Sequence, residues 1–166
     1  MPLSGRTSCF VVLASVLAAC SDSTAPSLPR ATVTVPAQSL AVTTVAAGSV
    51  TWIEFTVPLR IDNGGSSPLT FQLCASRVEA QASDAWAAAW TPVCVADGAA
   101  PVVVPAGNRR DVTVSVRAAI QGPGGPAWVP GSTAGSYRFA AGLLGVGASG
   151  AIPVVASNAF TLVGGP

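Results

Sequence analysis

Few residues in this chain could do acid–base or nucleophilic chemistry, and histidine is absent from the sequence. Without an imidazole base, the usual activation of a serine or cysteine nucleophile near neutral pH has no partner. Glu79, Asp84 and Asp97 lie in or beside the segment between Cys74 and Cys94, and two of them could in principle form an acid–base pair. Because solvated turn acids are the commoner role for such residues, we predict no catalytic site, and we expect no metal and no cofactor.

The charges are sparse and balanced, with 8 basic and 7 acidic residues among 166, and every basic residue is arginine. Nucleic-acid binding requires clustered cations that neutralise phosphates. The one adjacent pair, Arg109-Arg110, is typical of a solvated strand end. We therefore expect no nucleic-acid partner.

The N-terminal segment has the composition of an export signal. Arg6 provides a positive charge ahead of the apolar run over residues 9–17. This run is too short to cross a hydrocarbon core, which needs roughly 20 residues as a helix. Residues 1–19 are therefore predicted to be a signal peptide that is removed from the mature chain.

The end of that segment, Leu17-Ala18-Ala19-Cys20, resembles the bacterial lipobox at all four positions. The resemblance implies a diacylglycerol thioether on Cys20, cleavage before it and acylation of the new amine, so that the protein is held on a membrane. An ordinary secretory signal followed by a coincidental cysteine is the alternative. Ser21 stands where inner-membrane retention signals often carry aspartate, which implies a cell-envelope location that favours the outer membrane.

The mature chain divides by composition into a tether and a domain. Residues 20–30 comprise the lipidated Cys20 and a polar, proline-rich tether, and residues 31–166 form the domain. Of the remaining cysteines, Cys74 and Cys94 are predicted to pair in a disulfide, because an exported domain meets an oxidising compartment. A redox or metal pair has no Cys-x-x-Cys motif to support it.

Short runs rich in Val and Thr, separated by Gly and Pro, predict an all-β antiparallel sandwich of about seven to nine strands. Pro58 predicts a bulge or a sheet edge, and Asp62–Gly65 predicts a type I′ turn. Residues 77–91 are predicted to be a hairpin turning near Ser83-Asp84, with a short helix as the alternative. The predicted strands are Ala31–Val35, Leu40–Ala46, Val50–Val57 with its extension Leu59–Asp62, Leu69–Leu73, Val102–Val104, Asp111–Arg117, Ser136–Leu144 and Asn158–Val163.

Three tryptophans could contribute to a ligand surface. We expect Trp86 and Trp90 to pack in the core or against the disulfide. Trp128 lies on the long Gly/Pro loop over residues 121–135, and it is the better candidate for a binding surface.

Three short stretches resemble immunoglobulin-like modules: Leu59–Gly64 followed by Pro68–Phe71, Val104–Gly107 followed by Val112–Val114, and Ala134–Phe139. The same order of features, over roughly residues 50–144, is similar to the BsuPI-type proteinase inhibitor family. The resemblance implies an immunoglobulin-like domain in which Tyr137 makes a corner hydrogen bond. It transfers no inhibitory residue.

Three hypotheses about function follow. The first is a lipid-anchored, non-enzymatic binding or structural domain at the cell envelope, with an envelope protein or a glycan as partner. The second is an extracytoplasmic protease inhibitor of the BsuPI type that uses the loop over 121–135. The third is a carboxylate-based enzyme acting on glycans, which would require two acids about 5–10 Å apart in a cleft.

Overall fold

The computed structural model describes residues 30–94, 100–121, 125–145 and 149–166. The predicted signal peptide, Cys20 and most of the predicted tether lie outside these residues. The described part forms eleven strands and no helix: β1 (Ala31–Thr34), β2 (Ser39–Ala41), β3 (Thr43–Ala47), β4 (Val50–Asn63), β5 (Leu69–Ala82), β6 (Ala85–Trp90), β7 (Val102–Val104), β8 (Arg109–Gln121), β9 (Ser136–Gly145), β10 (Val154–Ala156) and β11 (Phe160–Val163). In this part of the chain there is accordingly no helix that could span a membrane.

The strands form two sheets that enclose one apolar core. In the smaller sheet β4 pairs with β8 on one flank and with β1 and β3 on the other, and the larger sheet has the order β2-β11-β9-β5-β6, with β10 beside β9 and β7 beside β5. All pairings are antiparallel except the parallel pair β2–β11. The predicted all-β sandwich is confirmed.

The strand count exceeds the predicted seven to nine for identifiable reasons. The predicted run Leu40–Ala46 divides at Val42, because β2 pairs with β11 in the larger sheet while β3 pairs with β4 in the smaller one. Val154–Ala156, which was not predicted, pairs with β9 as β10. The chain thus changes sheets within a run that looks continuous in the sequence.

The smaller sheet is built on the long antiparallel pair of β4 and β8. Alternate residues of β4 are buried from Ile53 to Ile61, which is the period that a half-exposed strand requires. The register continues through Pro58, and the bulge lies between Thr51 and Trp52 instead. On the other flank β3 and β1 pair with residues 50–54 and 60–63, so Pro58 stands at a local sheet edge where a missing N–H costs little.

The segment over residues 77–91 forms the predicted hairpin, and the helical alternative is wrong. β5 and β6 are joined at Ser83-Asp84, and Ser83 has a φ of +54°. The predicted disulfide is also present: Cys74 in β5 is bonded to Cys94, with the two Cα atoms 5.8 Å apart. It joins the larger sheet to the segment that follows β6.

Asn63 ends β4 at the point where the chain crosses to the larger sheet. The predicted type I′ turn is wrong, because β4 and β5 belong to different sheets and the described turn has no residue at positive φ. The side chain of Asn63 is buried, and its Nδ2 lies 2.9–3.2 Å from the carbonyl oxygens of Ser67, Val104 and Pro105. One amide therefore ties two connecting loops together.

The strand register places several of the connections at two opposite ends of the sandwich. The entry end comprises Arg30 and the loops over residues 64–68 and 105–108, since Ala31 pairs with Asn63 and Asp62 with Arg109. The far end comprises the turns over residues 48–49 and 83–84, the loop over 125–135 and residues 164–166, since Ala47 pairs with Val50 and Tyr137 with Ala80 and Phe160.

Candidate functional site

The loop over residues 125–135 is fixed to both sheets at the far end. The N–H of Trp128 donates to the carbonyl of Ala119 in β8, and the N–H of Val129 donates to the carbonyl of Ala89 in β6, at 2.8 and 3.0 Å. Thr133 donates from both its N–H and its hydroxyl to the main-chain oxygen of Pro166. Because main-chain hydrogen bonds anchor the loop at several points, it presents its exposed residues in a defined position.

Trp128 lies in the core, and the prediction that it forms a binding surface is wrong. Only 3% of its surface is exposed. Its ring packs edge-on against Phe55 at 5.7 Å and lies 5.3 Å from the ring of Tyr137, while Nε1 donates to the carbonyl of Ser132 at 2.8 Å. The indole closes the core beneath the loop, because burying this large apolar side chain is more favourable than exposing it.

Val129, next to Trp128, takes the exposed position, with 73% of its surface accessible. It stands in the turn from Trp128 to Gly131, where the N–H of Gly131 donates to the carbonyl of Trp128. Val163 at the end of β11 is 49% exposed at the same end. The exposed apolar area at the far end is therefore contributed by Val129 and Val163, and not by Trp128 as predicted from the sequence.

Tyr137 makes the corner hydrogen bond that the immunoglobulin-like resemblance implied. Its hydroxyl lies 3.1 Å from the carbonyl oxygen of Ala134 and 3.2 Å from that of Ser132. Burial raises the pKa of the phenol. Tyr137 thus stays protonated as a donor and fixes the end of the loop where β9 begins.

The outer face of the larger sheet carries a charged cluster that was not predicted from the sequence. Glu79 accepts from Arg77 at Oε1 and from Arg138 at Oε2, each with a closest distance of 2.6 Å. The guanidinium of Arg138 lies over the ring of Trp86, 4.5 Å from its centroid. Trp90 is buried in the core as predicted, but Trp86 lies on this outer face. Arg77 and Glu79 are two residues apart on one strand and therefore share a face, and this spacing was the sequence signal for the ion pair.

Glu79 is held ionised and fully engaged. Burial acts to raise the pKa of this carboxyl, but the hydrogen bonds and charges of Arg138 and Arg77 lower it below the ordinary glutamate value. Its side chain is only 5% exposed, and both oxygens are occupied by guanidinium groups. A carboxylate in this state stabilises the sheet surface and is a poor proton donor near neutral pH.

The other described acids do not form an acid–base pair with Glu79. Glu54, Asp62 and Asp111 each lie opposite an arginine in the β4–β8 register, with shortest distances of 3.1 Å to Arg117, 3.8 Å to Arg109 and 3.2 Å to Arg60. Asp84 is exposed in the hairpin turn, and Asp97 lies outside the described residues. The described residues contain no group of three or more potential metal ligands.

No family model and no curated protein matches this chain. The geometry is therefore the basis for assigning a function. We define the far-end surface as the exposed residues of the loop over 125–135, the hairpin turn at Ser83-Asp84 and Val163. This surface offers exposed apolar side chains and backbone polar groups for contact with a partner. The hydrogen bonds of the loop to β6, β8 and Pro166 hold these groups in place.

Proposed function

We propose that this protein is a lipid-anchored, non-enzymatic binding or structural module of the cell envelope, displayed on the membrane through Cys20. One observation carries the proposal. The chain enters the sandwich at Arg30, at the end opposite the anchored loop and the exposed Val129. A domain attached at its entry end holds the far-end surface away from the membrane, where a partner reaches it.

The side-chain chemistry supports a contact function. The sequence has no histidine, and four of the described acids are engaged by arginines on the sheet surfaces. The far-end surface instead combines exposed apolar area with a fixed backbone. Pre-organisation of this kind lowers the entropic cost of binding. We infer that the partner is an envelope protein or a glycan.

The anchor is tested by detergent phase partition of the full chain made in a bacterial host that processes lipoproteins. We expect the wild-type chain in the detergent-rich phase with the mass of the acyl groups, because several acyl chains give stable membrane attachment. Cys20→Ala should abolish both the partition into the detergent-rich phase and the added mass of the acyl groups. Cys9→Ala, which changes the predicted signal peptide, is the matched control and should change neither. An unmodified wild-type chain would contradict the anchor.

The binding face is tested by photo-crosslinking in intact cells. A photoreactive residue is placed at Val129 on the far-end surface or at Ser66 on the entry end, both of which are exposed. We expect a discrete adduct with a protein or a glycan, of reproducible mass, from the Val129 position only. Adducts of equal yield from both positions, or from neither, would contradict a far-end binding face.

A protease inhibitor is the second candidate, and the anchored loop favours it. Inhibitors gain affinity when the inhibitory loop is rigid before it binds, and residues 125–135 are fixed by main-chain hydrogen bonds to β6 and β8. Titration of serine, cysteine and metalloproteases with the purified protein tests this function. Val129→Asp should weaken any inhibition, whereas Val103→Asp, at another exposed valine, should not. Full protease activity at a large excess of the protein rejects it.

A further inference from the structure

The entry end carries more arginine than carboxylate. Arg30, Arg109 and Arg110 are exposed there, and Asp62 lies 3.8 Å from Arg109. The neighbouring Arg60 is paired with Asp111. Neither Arg30 nor Arg110 has an ion-pair partner among the described residues. This end therefore has an excess of positive charge in a chain that is otherwise nearly neutral.

The backbone holds these arginines together. Arg30 precedes β1, whose Ala31 pairs with Asn63 at the end of β4, while Arg109 pairs with Asp62 on the opposite flank of the same strand. Adjacent strands are about 4.8 Å apart, so the backbones of Arg30 and Arg109 are separated by about 10 Å across β4 and by about 7 Å along it. The N–H of Gly64 donates to the carbonyl of Arg30 at 2.8 Å, which fixes the entry of the chain.

The chain outside the structure limits how far this end stands from a membrane. From Cys20 to Arg30 there are ten residue steps, which span at most about 35 Å when fully extended. The far end lies beyond the 14 residues of β4, a further length of about 45 Å. The entry end is therefore the part of the described structure nearest to an anchor at Cys20.

We propose that the entry-end arginines dock on anionic phospholipid headgroups of the membrane that holds the anchor, which sets the sandwich upright. The proposal rests on the lipidation of Cys20 proposed above. Each arginine near an anionic membrane surface strengthens binding to that surface about fivefold. That effect is weak for a free protein, but attachment through Cys20 converts docking into an intramolecular step at high effective concentration.

The far end has the opposite charge character. Among its described residues the charged side chain is that of Asp84, which is exposed in the hairpin turn. An anionic surface attracts the entry end and repels this carboxylate. Both effects favour the same orientation of the domain.

The test uses the mature, lipidated protein in vesicles of phosphatidylcholine alone or mixed with phosphatidylglycerol. A fluorophore is attached through Ser66→Cys at the entry end or Ser49→Cys at the far end, and a nitroxide on lipid headgroups quenches it by proximity. We expect stronger quenching at the entry end on anionic vesicles than on neutral ones, and no such gain at the far end. High salt should remove the gain, because the Debye length falls to about 3 Å at 1 M.

The arginines are tested by the double variant Arg30→Gln with Arg110→Gln, which should lower the ratio of docked to undocked domain about fivefold for each substitution. Gln81→Glu with Ala87→Glu makes the same change in net charge on exposed positions of β5 and β6 and should leave entry-end quenching unchanged. Quenching that is equal on both vesicles, or unaffected by the arginine variant, overturns the proposal.

The anchor is scored separately, by the mass of the acyl groups and by flotation with neutral vesicles. A chain that fails both lacks the anchor, whatever its arginines do. In that case the docking proposal falls together with the anchor on which it rests. A chain that carries the acyl groups and floats with neutral vesicles, but shows equal quenching on both vesicle types, overturns the arginine surface alone.

Discussion

At the scale of single residues, two side chains of similar sequence character have opposite roles. Trp128 and Trp86 both stand in segments rich in small residues, yet Trp128 is buried against Phe55 and Tyr137 while Trp86 lies under Arg138 on the outer face of the sheet. The difference arises from which side of the backbone faces the core. Glu79 is also defined by its neighbours, because Arg77 and Arg138 bind the two oxygens of its carboxylate.

We expect Trp128→Ala to lower the free energy of unfolding by about 3–5 kcal/mol, because it removes a buried ring and leaves a cavity. Trp86→Ala is the control and should cost less, since that ring packs on an outer face beneath Arg138. Chemical denaturation followed by far-UV circular dichroism measures both. Equal losses would contradict the assignment of Trp128 to the core.

The pKa of Glu79 predicts a specific dependence of stability on pH. Because this pKa is lower in the folded state, Glu79 contributes its full stability above the ordinary glutamate pKa of about 4.3 and loses it as the pH falls through the lower folded value. Glu79→Gln should cost about 2 kcal/mol near neutral pH and flatten this part of the profile. Glu54→Gln, at a more exposed ion pair, should cost less than about 1 kcal/mol.

At the scale of elements, the hairpin of β5 and β6 depends on a two-residue turn. Ser83 has a φ of +54° while Asp84 is not at positive φ, which is the pattern of a type II′ turn. A residue with a β carbon is strained in this region, and glycine is not.

Ser83→Gly should therefore raise the free energy of unfolding by about 0.5–1 kcal/mol. Ala85→Gly, in the adjoining strand, removes a side chain at a residue whose φ is not positive, and it should lower the free energy of unfolding. Thermal unfolding of the two variants beside the wild type measures the pair. A loss of stability in Ser83→Gly would show that this turn is not strained.

The disulfide is the other constraint at this scale. Cys74 and Cys94 are 20 residues apart in the sequence, and closing a loop of that length restricts the unfolded chain by about 3 kcal/mol in the entropy model. The double variant Cys74→Ala with Cys94→Ala should lose about this amount. A reducing agent should destabilise the wild type and leave the double variant unchanged.

At the scale of the whole molecule, the two sheets share one core and depend on each other. Phe55 from the smaller sheet contacts Trp128 of the far-end loop, whose ring also contacts Tyr137 of the larger sheet. We therefore expect a single cooperative unfolding transition. Tryptophan fluorescence and far-UV circular dichroism should give the same midpoint, and separate midpoints would mean that the sheets unfold independently.

The sequence by itself determined the fold class, the disulfide and most strands. Period-two alternation in β4 and at the start of β5 and the turn residues between runs are local signals, and two cysteines without a Cys-x-x-Cys spacing have few alternatives to a disulfide. The corner hydrogen bond of Tyr137 was also predictable, because it joins residues close in the chain.

Only the tertiary structure decided which sheet each strand joins and which side chains meet. The division of one run into β2 and β3, the contacts of Asn63 with Val104 and Pro105, and the approach of Arg138 to Glu79 all link residues far apart in sequence. The burial of Trp128 follows from the same cause. A loop residue faces the core or the solvent according to how the two sheets close around it, and this closure has no local signature in the sequence.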